Sequence, residues 1–185
     1  MCPDLYRPTQ LDTIDGLVHG VVVPLVVALL ANKTRSLYFE LFSVIRKNMM
    51  DLNLVFDPEI IVTDFEIAVI EVTRQHFPRA RHVGCFFHFG QAIWRKVQDL
   101  GLATRYKSDI ELQLHIKSHI ALAFLPVIDV ISFADNLRAK FADDARLQDF
   151  HNYFEATWLN GIFAITLWNQ YIVDNAHRTN NVVES

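Results

Sequence analysis

The sequence is poor in cysteine, glycine and proline: of its 185 residues, two are Cys, six are Gly and six are Pro. Two cysteines far apart in sequence, Cys2 and Cys85, cannot supply the disulfide framework of a small secreted domain. No internal repeat or low-complexity tract is present. The length suffices for one domain with a full core, or for one core plus an insertion.

Long apolar runs and an excess of positive charge are also missing. The longest apolar run, residues 21–31, is too short to span a bilayer and contains Pro24, and residues 1–10 carry no apolar signal core. We therefore predict an intracellular, soluble protein without a membrane partner. The net charge of −4 means that any contact with DNA must be local or come from other segments.

Strand and helix patterns alternate through residue 100, which indicates an α/β domain. Two strands are predicted that join near Gly16 to Gly20, with Pro24 at a bulge or an edge. A helix follows Thr34 as N-cap, and a buried strand covers residues 59–64. The remaining predictions are a helix ending before Pro78, a short strand "RHVGCFFH" and an amphipathic helix stopped by Gly101.

Beyond residue 105 the pattern is helical throughout. We predict an all-helical block of three to four helices over residues 107–125, 126–142, 145–155 and 160–176. Trp158 and Trp168 lie in its last part and favour core packing between helices. Stacking of bases on such aromatics is the alternative, although no residue pattern supports it.

Asp64 directly follows the apolar residues of the predicted strand 59–64. A carboxylate at that end of a strand in an open α/β sheet occupies the usual ligand position. The alternative is a helix N-cap, since Asp is favoured there and a helical pattern follows. Glu66 is expected in the first helical turn, where its charge matches the helix dipole.

Two further sites have structural and functional interpretations. Cys85 and His88 are three residues apart, but zinc needs about four ligands and no second Cys is near, so a buried Cys and a His at a strand–helix junction suffice as an explanation. Glu184 follows Asn181 at the spacing of a capping box. Asp12, Asp15, Asp57, Asp109 and Asp129 are interpreted as ordinary surface or turn acids.

Taken together, four segments in one order resemble the transposase domain of Mutator-like elements, the MULE transposase family. They are "VPLVVALLANKTRSLYFELF", "IIVTDFEIAVIEVTRQHFPRARHVGCFFHFGQAIWRKVQDLGL", "TWLNGIFAITLWNQY" and "RTNNVVES". The resemblance covers nearly the whole chain, and the block around Asp64, Cys85 and His88 is its most specific part.

The resemblance implies an α/β fold of the RNase H-like kind, a mixed sheet with flanking helices that an all-helical insertion interrupts. It implies a catalytic site that contains Asp64 and Glu184 as metal ligands, with Cys85 and His88 as its following motif. The implied chemistry is DNA cleavage and strand transfer with Mg²⁺ or Mn²⁺, for which hard carboxylate ligands are suited. Transposon ends and target DNA would be the partners, possible homo-oligomers would assemble on them, and the location would be nuclear.

The sequence also departs from the family pattern. The first acid and first core strand of the family would precede Met1, and neither Asp12 nor Asp15 takes that position, so we expect a fragment truncated at both ends. We predict a partial core over residues 1–104, an insertion over residues 105–177 and the start of a core helix over residues 178–185. Such a fragment is expected to be marginally stable and inactive alone in strand transfer.

Three functions follow from these expectations. The first is a fragment of a transposase catalytic domain, an enzyme by ancestry. The second is a transposon-derived, non-catalytic factor that binds DNA or protein in transcription control, and the third is a gene remnant without present activity. Whether an acid and a DNA-binding module lie upstream would discriminate among them.

Overall fold

The computed structural model describes residues 10–19, 21–141 and 143–173. These residues form two compact units: the first contains the described residues up to 82, and the second those from 83 onward. The predicted boundary between residues 104 and 105 falls inside the second unit, and the three-part division of the chain stays a prediction. The predicted α/β class is confirmed, since the described part contains both strands and helices.

The first unit begins with an antiparallel hairpin of β1 (Gln10–Val18) and β2 (Val21–Leu30). His19, in the turn, has a φ of 51°, the left-handed conformation that tight hairpin turns require. Ile14 pairs with Val26 but Asp15 pairs with Pro24, so Leu25 is the extra residue of a bulge. The two predicted strands and the bulge near Pro24 are therefore confirmed.

Two helices pack on one face of this hairpin, α1 (Arg35–Asp51) and α2 (Ile67–His76). Thr34 is the N-cap of α1 as predicted, although its hydroxyl makes no capping bond and instead contacts the side chains of Asn32 and Ser36. The core of the unit is apolar and draws on every one of these elements: Leu30, Tyr38, Phe42, Ile45, Val72, Phe77 and Ala80. The opposite face of the hairpin is exposed, with Leu11, Val27 and Leu29 more than half accessible.

Two short strands complete the described sheets, β3 (Ile60–Thr63) and β4 (Arg81–Gly84). They form one two-stranded sheet and the hairpin forms another, so the described strands do not join into a single mixed sheet. The RNase H-like arrangement therefore stays a prediction. The strand predicted over "RHVGCFFH" is wrong in its second half, because the chain turns helical after Cys85.

After the last two residues of β4, the described part of the second unit consists of helices. They are α3 (Phe86–Asp99), α4 (Ala103–Ser108), α5 (Ile110–Ala121), α6 (Val127–Ala139), α7 (Ala145–Phe154) and α8 (Ile165–Trp168), with a 3₁₀ turn at Leu122–Phe124 and a π turn at Glu155–Leu159. None of the helices in the described ranges is long and apolar enough to cross a membrane. Gly101, with φ of 66°, ends α3 as predicted.

The long helix predicted over residues 160–176 is wrong. The π turn ends at Leu159, and a Cβ on Gly161 would lie 1.5 Å from the carbonyl oxygen of Ala156. Up to residue 173 only the single turn α8 follows, and the backbone N–H of Gln170 then donates to the carbonyl of Ala123, 2.6 Å away. Tertiary hydrogen bonds therefore replace helical ones in this segment.

Aromatic side chains fill the core of the second unit. The rings of Phe89 and Trp168 stack with their centroids 4.9 Å apart, and the Trp168 indole N–H donates to the carbonyl of Trp158 over 2.8 Å. Both tryptophans are buried. The prediction that they pack in the core is confirmed, and their buried rings offer no face on which a base could stack.

Candidate functional site

Asp64 directly follows β3 in the first unit, at the position where the sequence predicts a ligand. Its Oδ1 accepts a hydrogen bond from the backbone N–H of Glu66 over 3.2 Å. The N-cap of α2 is Glu66 and not Asp64, and the Glu66 side chain makes no capping bond. Asp64 thus closes a turn before the helix, and the expectation that Glu66 lies in the first helical turn is wrong by one residue.

Lys33, just after β2, lies among three carboxylates that come from separate parts of the unit. Its Nζ lies 3.0 Å from Oε2 of Glu66. The pKa of Lys33 is raised, first by the hydrogen bond that its ammonium donates to Glu66 and further by the negative charges of Glu66, Asp64 and Asp12. We call Asp12, Asp64 and Glu66 the acidic cluster; β1, the end of β3 and the start of α2 position its members.

The acidic cluster offers oxygen atoms of the kind that hard divalent cations bind. Oε1 of Glu66 is buried and has no hydrogen-bond partner among the described residues, so it can still accept a ligand. Lys33 acts against this use, since its ammonium already supplies positive charge at the cluster. The donor chemistry fits Mg²⁺ or Mn²⁺, with Lys33 as a competing cation.

Cys85 and His88 lie at the start of α3 in the second unit. Cys85 is the N-cap residue and is fully buried, whereas His88 is half-buried in the first helical turn. The Nδ1 atom of His88 has no hydrogen-bond partner in the described ranges. Their positions agree with the predicted strand–helix junction, and their role in a catalytic site stays a prediction.

Glu184 lies outside the described residues, as does Asn181. Neither the predicted convergence of Glu184 with Asp64 nor the alternative capping box is therefore tested.

Two groups of residues escaped the sequence reasoning. Lys33 and Asp12 belong to the environment of Asp64, but they are distant in sequence and no local pattern joins them to it. In the second unit, His115 and His119 lie one helical turn apart on α5 and meet His151 of α7. Their spacing of four residues was the available signal, because it places two imidazoles on one helix face.

The family comparison supports the resemblance over part of the chain. Residues 11–92 match the family model of the MULE transposase domain. The matched segment contains Asp64, Cys85 and His88, and it ends within α3. No curated protein and no solved structure matches the chain.

Proposed function

From the MULE transposase domain at residues 11–92 we propose that the chain contributes to a metal-dependent site for DNA cleavage and strand transfer. The observation that carries this proposal is the match itself, together with a carboxylate, Asp64, at the end of a strand inside the matched segment. In the proposed site Asp64 and Glu184 hold the divalent ions. The proposed partners are transposon ends and target DNA.

The acidic cluster suits this chemistry through its charge. In-line displacement at phosphorus needs positive charge beside the attacking and leaving oxygens, which two bound divalent ions supply. Asp64 would hold such an ion through its carboxylate, and the free Oε1 of Glu66 lies in the same cluster as a further oxygen donor. The half-buried His88 is proposed to contact phosphate or support the site, and the buried Cys85 to pack beneath it.

The RNase H-like arrangement belongs to this proposal as well. A strand that hydrogen-bonds to both two-stranded sheets would join them into one mixed sheet, as that fold requires. The separate hairpin and β3–β4 sheets are compatible with such a strand.

Lys33 favours the non-catalytic alternative, a transposon-derived factor that binds DNA or protein. An ammonium paired with Glu66 offsets one of the three negative charges of the acidic cluster and so lowers its need for a metal ion. In that case the carboxylates stabilise the fold, and DNA binding would not depend on divalent ions.

The first test is a titration of the chain with Mn²⁺, followed by the electron paramagnetic resonance of the free ion. We expect Asp64→Asn to weaken binding at least about tenfold, because one charged ligand is lost. Lys33→Gln is expected to strengthen it, since the competing cation is removed. Asp51→Asn changes the net charge equally at an exposed position of the same unit and serves as the control.

A second assay separates the two functions. A site for DNA cleavage predicts duplex DNA binding that Mn²⁺ strengthens in the wild type and not in Asp64→Asn. Binding of the same strength in a chelator, unchanged by Asp64→Asn, would support the non-catalytic factor instead. Equal Mn²⁺ affinity of wild type and Asp64→Asn would refute the assignment of Asp64 as a ligand.

A further inference from the structure

We propose that His115, His119 and His151 form a second metal site, which takes a late first-row divalent ion and suits Zn²⁺ best. The site lies inside the second unit and is independent of the acidic cluster. All three histidines lie beyond the segment that matches the transposase family, so the proposal does not rest on that match.

The geometry brings three ligand atoms to one point. One nitrogen from each imidazole lies within 4.8 Å of the other two, and the Nε2 atoms of His115 and His151 are 2.8 Å apart. Zinc with Zn–N bonds of about 2.0–2.1 Å holds its nitrogens about 3.4 Å apart in a tetrahedron. That separation is longer than the 2.8 Å between the Nε2 atoms of His115 and His151 and shorter than the 4.8 Å within which all three ligand atoms lie, so side-chain rotations would bring the three nitrogens to it.

The backbone fixes the tautomer of one ligand. The Nδ1 atom of His119 lies 2.9 Å from the carbonyl oxygen of His115, to which its N–H donates. The proton is then on Nδ1, and Nε2 keeps the lone pair that a metal ion needs. A backbone carbonyl that holds the non-ligating N–H is the usual support of a metal-bound histidine.

Packing alone explains the cluster poorly. The three rings are buried against Phe141, Phe150 and Phe154. The hydrogen bonds within the cluster use Nε2 of His115, Nε2 of His151 and Nδ1 of His119. The Nδ1 atoms of His115 and His151 have no hydrogen-bond partner in the described part of the chain. Buried polar groups are normally satisfied, and apolar side chains would fill this space at a lower cost in free energy.

The three imidazoles have the protonation state that a metal ligand needs. Burial lowers the pKa of His115 to about 3 and those of His119 and His151 to about 4. All three imidazoles are therefore neutral at pH 7, as metal coordination requires.

The donor set selects the class of ion. Three neutral imidazoles suit Zn²⁺, Ni²⁺, Cu²⁺ or Co²⁺, whereas Mg²⁺ and Ca²⁺ prefer oxygen ligands. Water or a small anion would complete the tetrahedron. The bound ion would tie α5 to α7 and stabilise the second unit by binding only its folded state.

The test uses the full chain, stripped of metal with a chelator and titrated with Co²⁺. We expect the visible absorption bands of tetrahedral Co²⁺ at one equivalent, their loss when Zn²⁺ is added, and a higher melting temperature with Zn²⁺. His119→Leu and His151→Leu each remove one ligand but keep an apolar side chain in the core. Removal of an outer-shell partner already costs about 10–100-fold in affinity, so each variant should lose at least that much.

His19→Asn is the matched control, because it removes an exposed imidazole from the hairpin turn at a left-handed residue where Asn is well tolerated. It should bind Co²⁺ like the wild type. Absence of the bands in the wild type, or their persistence in both leucine variants, would overturn the proposal.

A second measurement on the wild type covers the case in which the leucine variants fail to fold. Long-range ¹⁵N–¹H spectra of the imidazoles, recorded during a Zn²⁺ titration, should show the signals of His115, His119 and His151 shifting together. Shifts confined to other histidines would exclude the site. Neither experiment depends on Asp64, so failure of the proposed histidine site is distinguishable from failure of the proposed transposase function.

Discussion

The two units differ in how completely they bury their apolar side chains. Some core residues of the first unit keep slight exposure, with Phe42 at 7% and Ile45 at 9% beside a fully buried Val72, and one face of its hairpin is open. In the second unit Phe89, Ile93 and Trp168 are all at 0%. The aromatic centre of the helical unit is fully buried, although residues such as Ile128 and Phe133 are exposed on its helices, whereas the hairpin leaves one whole apolar face open.

The two units also differ in how deeply they bury their polar side chains. The first unit places three carboxylates around Lys33, whose side chain is about half exposed and whose charge offsets one of theirs. The second unit buries neutral imidazoles inside an aromatic core. The first arrangement is suited to exchange with cations from solvent, and the second to an ion that stays bound.

The largest effect should come from a truncation in the sealed core. Trp168→Ala removes a fully buried ring that stacks on Phe89, so we expect a loss of about 3–5 kcal/mol in the free energy of unfolding. Leu29→Ala, on the open face of the hairpin, should change it by less than about 0.5 kcal/mol. Urea unfolding followed by circular dichroism measures both, and similar losses would contradict the difference between the units.

A smaller effect is expected at the helix starts of the second unit. The Asp144 side chain caps α7 by accepting hydrogen bonds from the backbone N–H groups of Arg146 and Leu147. Asp144 also forms an ion pair with Arg105, and Arg105 forms a second one with Asp109, the N-cap of α5. Asp144→Ala should cost about 0.5–2 kcal/mol in unfolding free energy.

Two variants isolate the cap from the charge. Asp144→Asn keeps an oxygen acceptor and should retain most of the stability, because exposed ion pairs contribute little. Asp143→Ala, at the exposed neighbouring residue, should be nearly neutral. If Asp144→Asn lost as much stability as Asp144→Ala, the ion pair with Arg105 and not the cap would be the stabilising interaction.

The smallest effect concerns a histidine of the first unit. Burial lowers the pKa of His82, whose Nε2–H donates to the carbonyl of Phe77 over 3.1 Å. In the unfolded chain the pKa of His82 has its ordinary value of 6.5, so below that pH the unfolded state binds the proton more readily than the folded state. The free energy of unfolding is therefore full above pH 6.5 and falls as the solution is acidified. His82→Gln should reduce this slope by at most about 1.4 kcal/mol per pH unit.

The check is urea unfolding from pH 7.5 to 5, with His19→Asn as a control for loss of an exposed imidazole. Equal slopes in wild type and His82→Gln would show that His82 does not contribute to the acid sensitivity.

Local patterns determined much of the secondary structure. The hairpin with its bulge, the helix after Thr34, the strand before Asp64 and the end of α3 at Gly101 follow from residues close in sequence. The resemblance to MULE transposases also came from the sequence, and the family match supports it over residues 11–92. These predictions succeed because turns, caps and periodicity depend on neighbouring residues.

Only the tertiary structure decided the rest. It kept the described strands in two sheets, and it replaced a predicted helix near Gly161 by hydrogen bonds such as that from Gln170 to Ala123. It also placed Lys33 near Asp64 and brought His151 to His115. Each of these contacts joins residues from separate elements. Periodicity gives the buried face of an element but not the partner that covers it, and the partner determined the environment of both candidate sites.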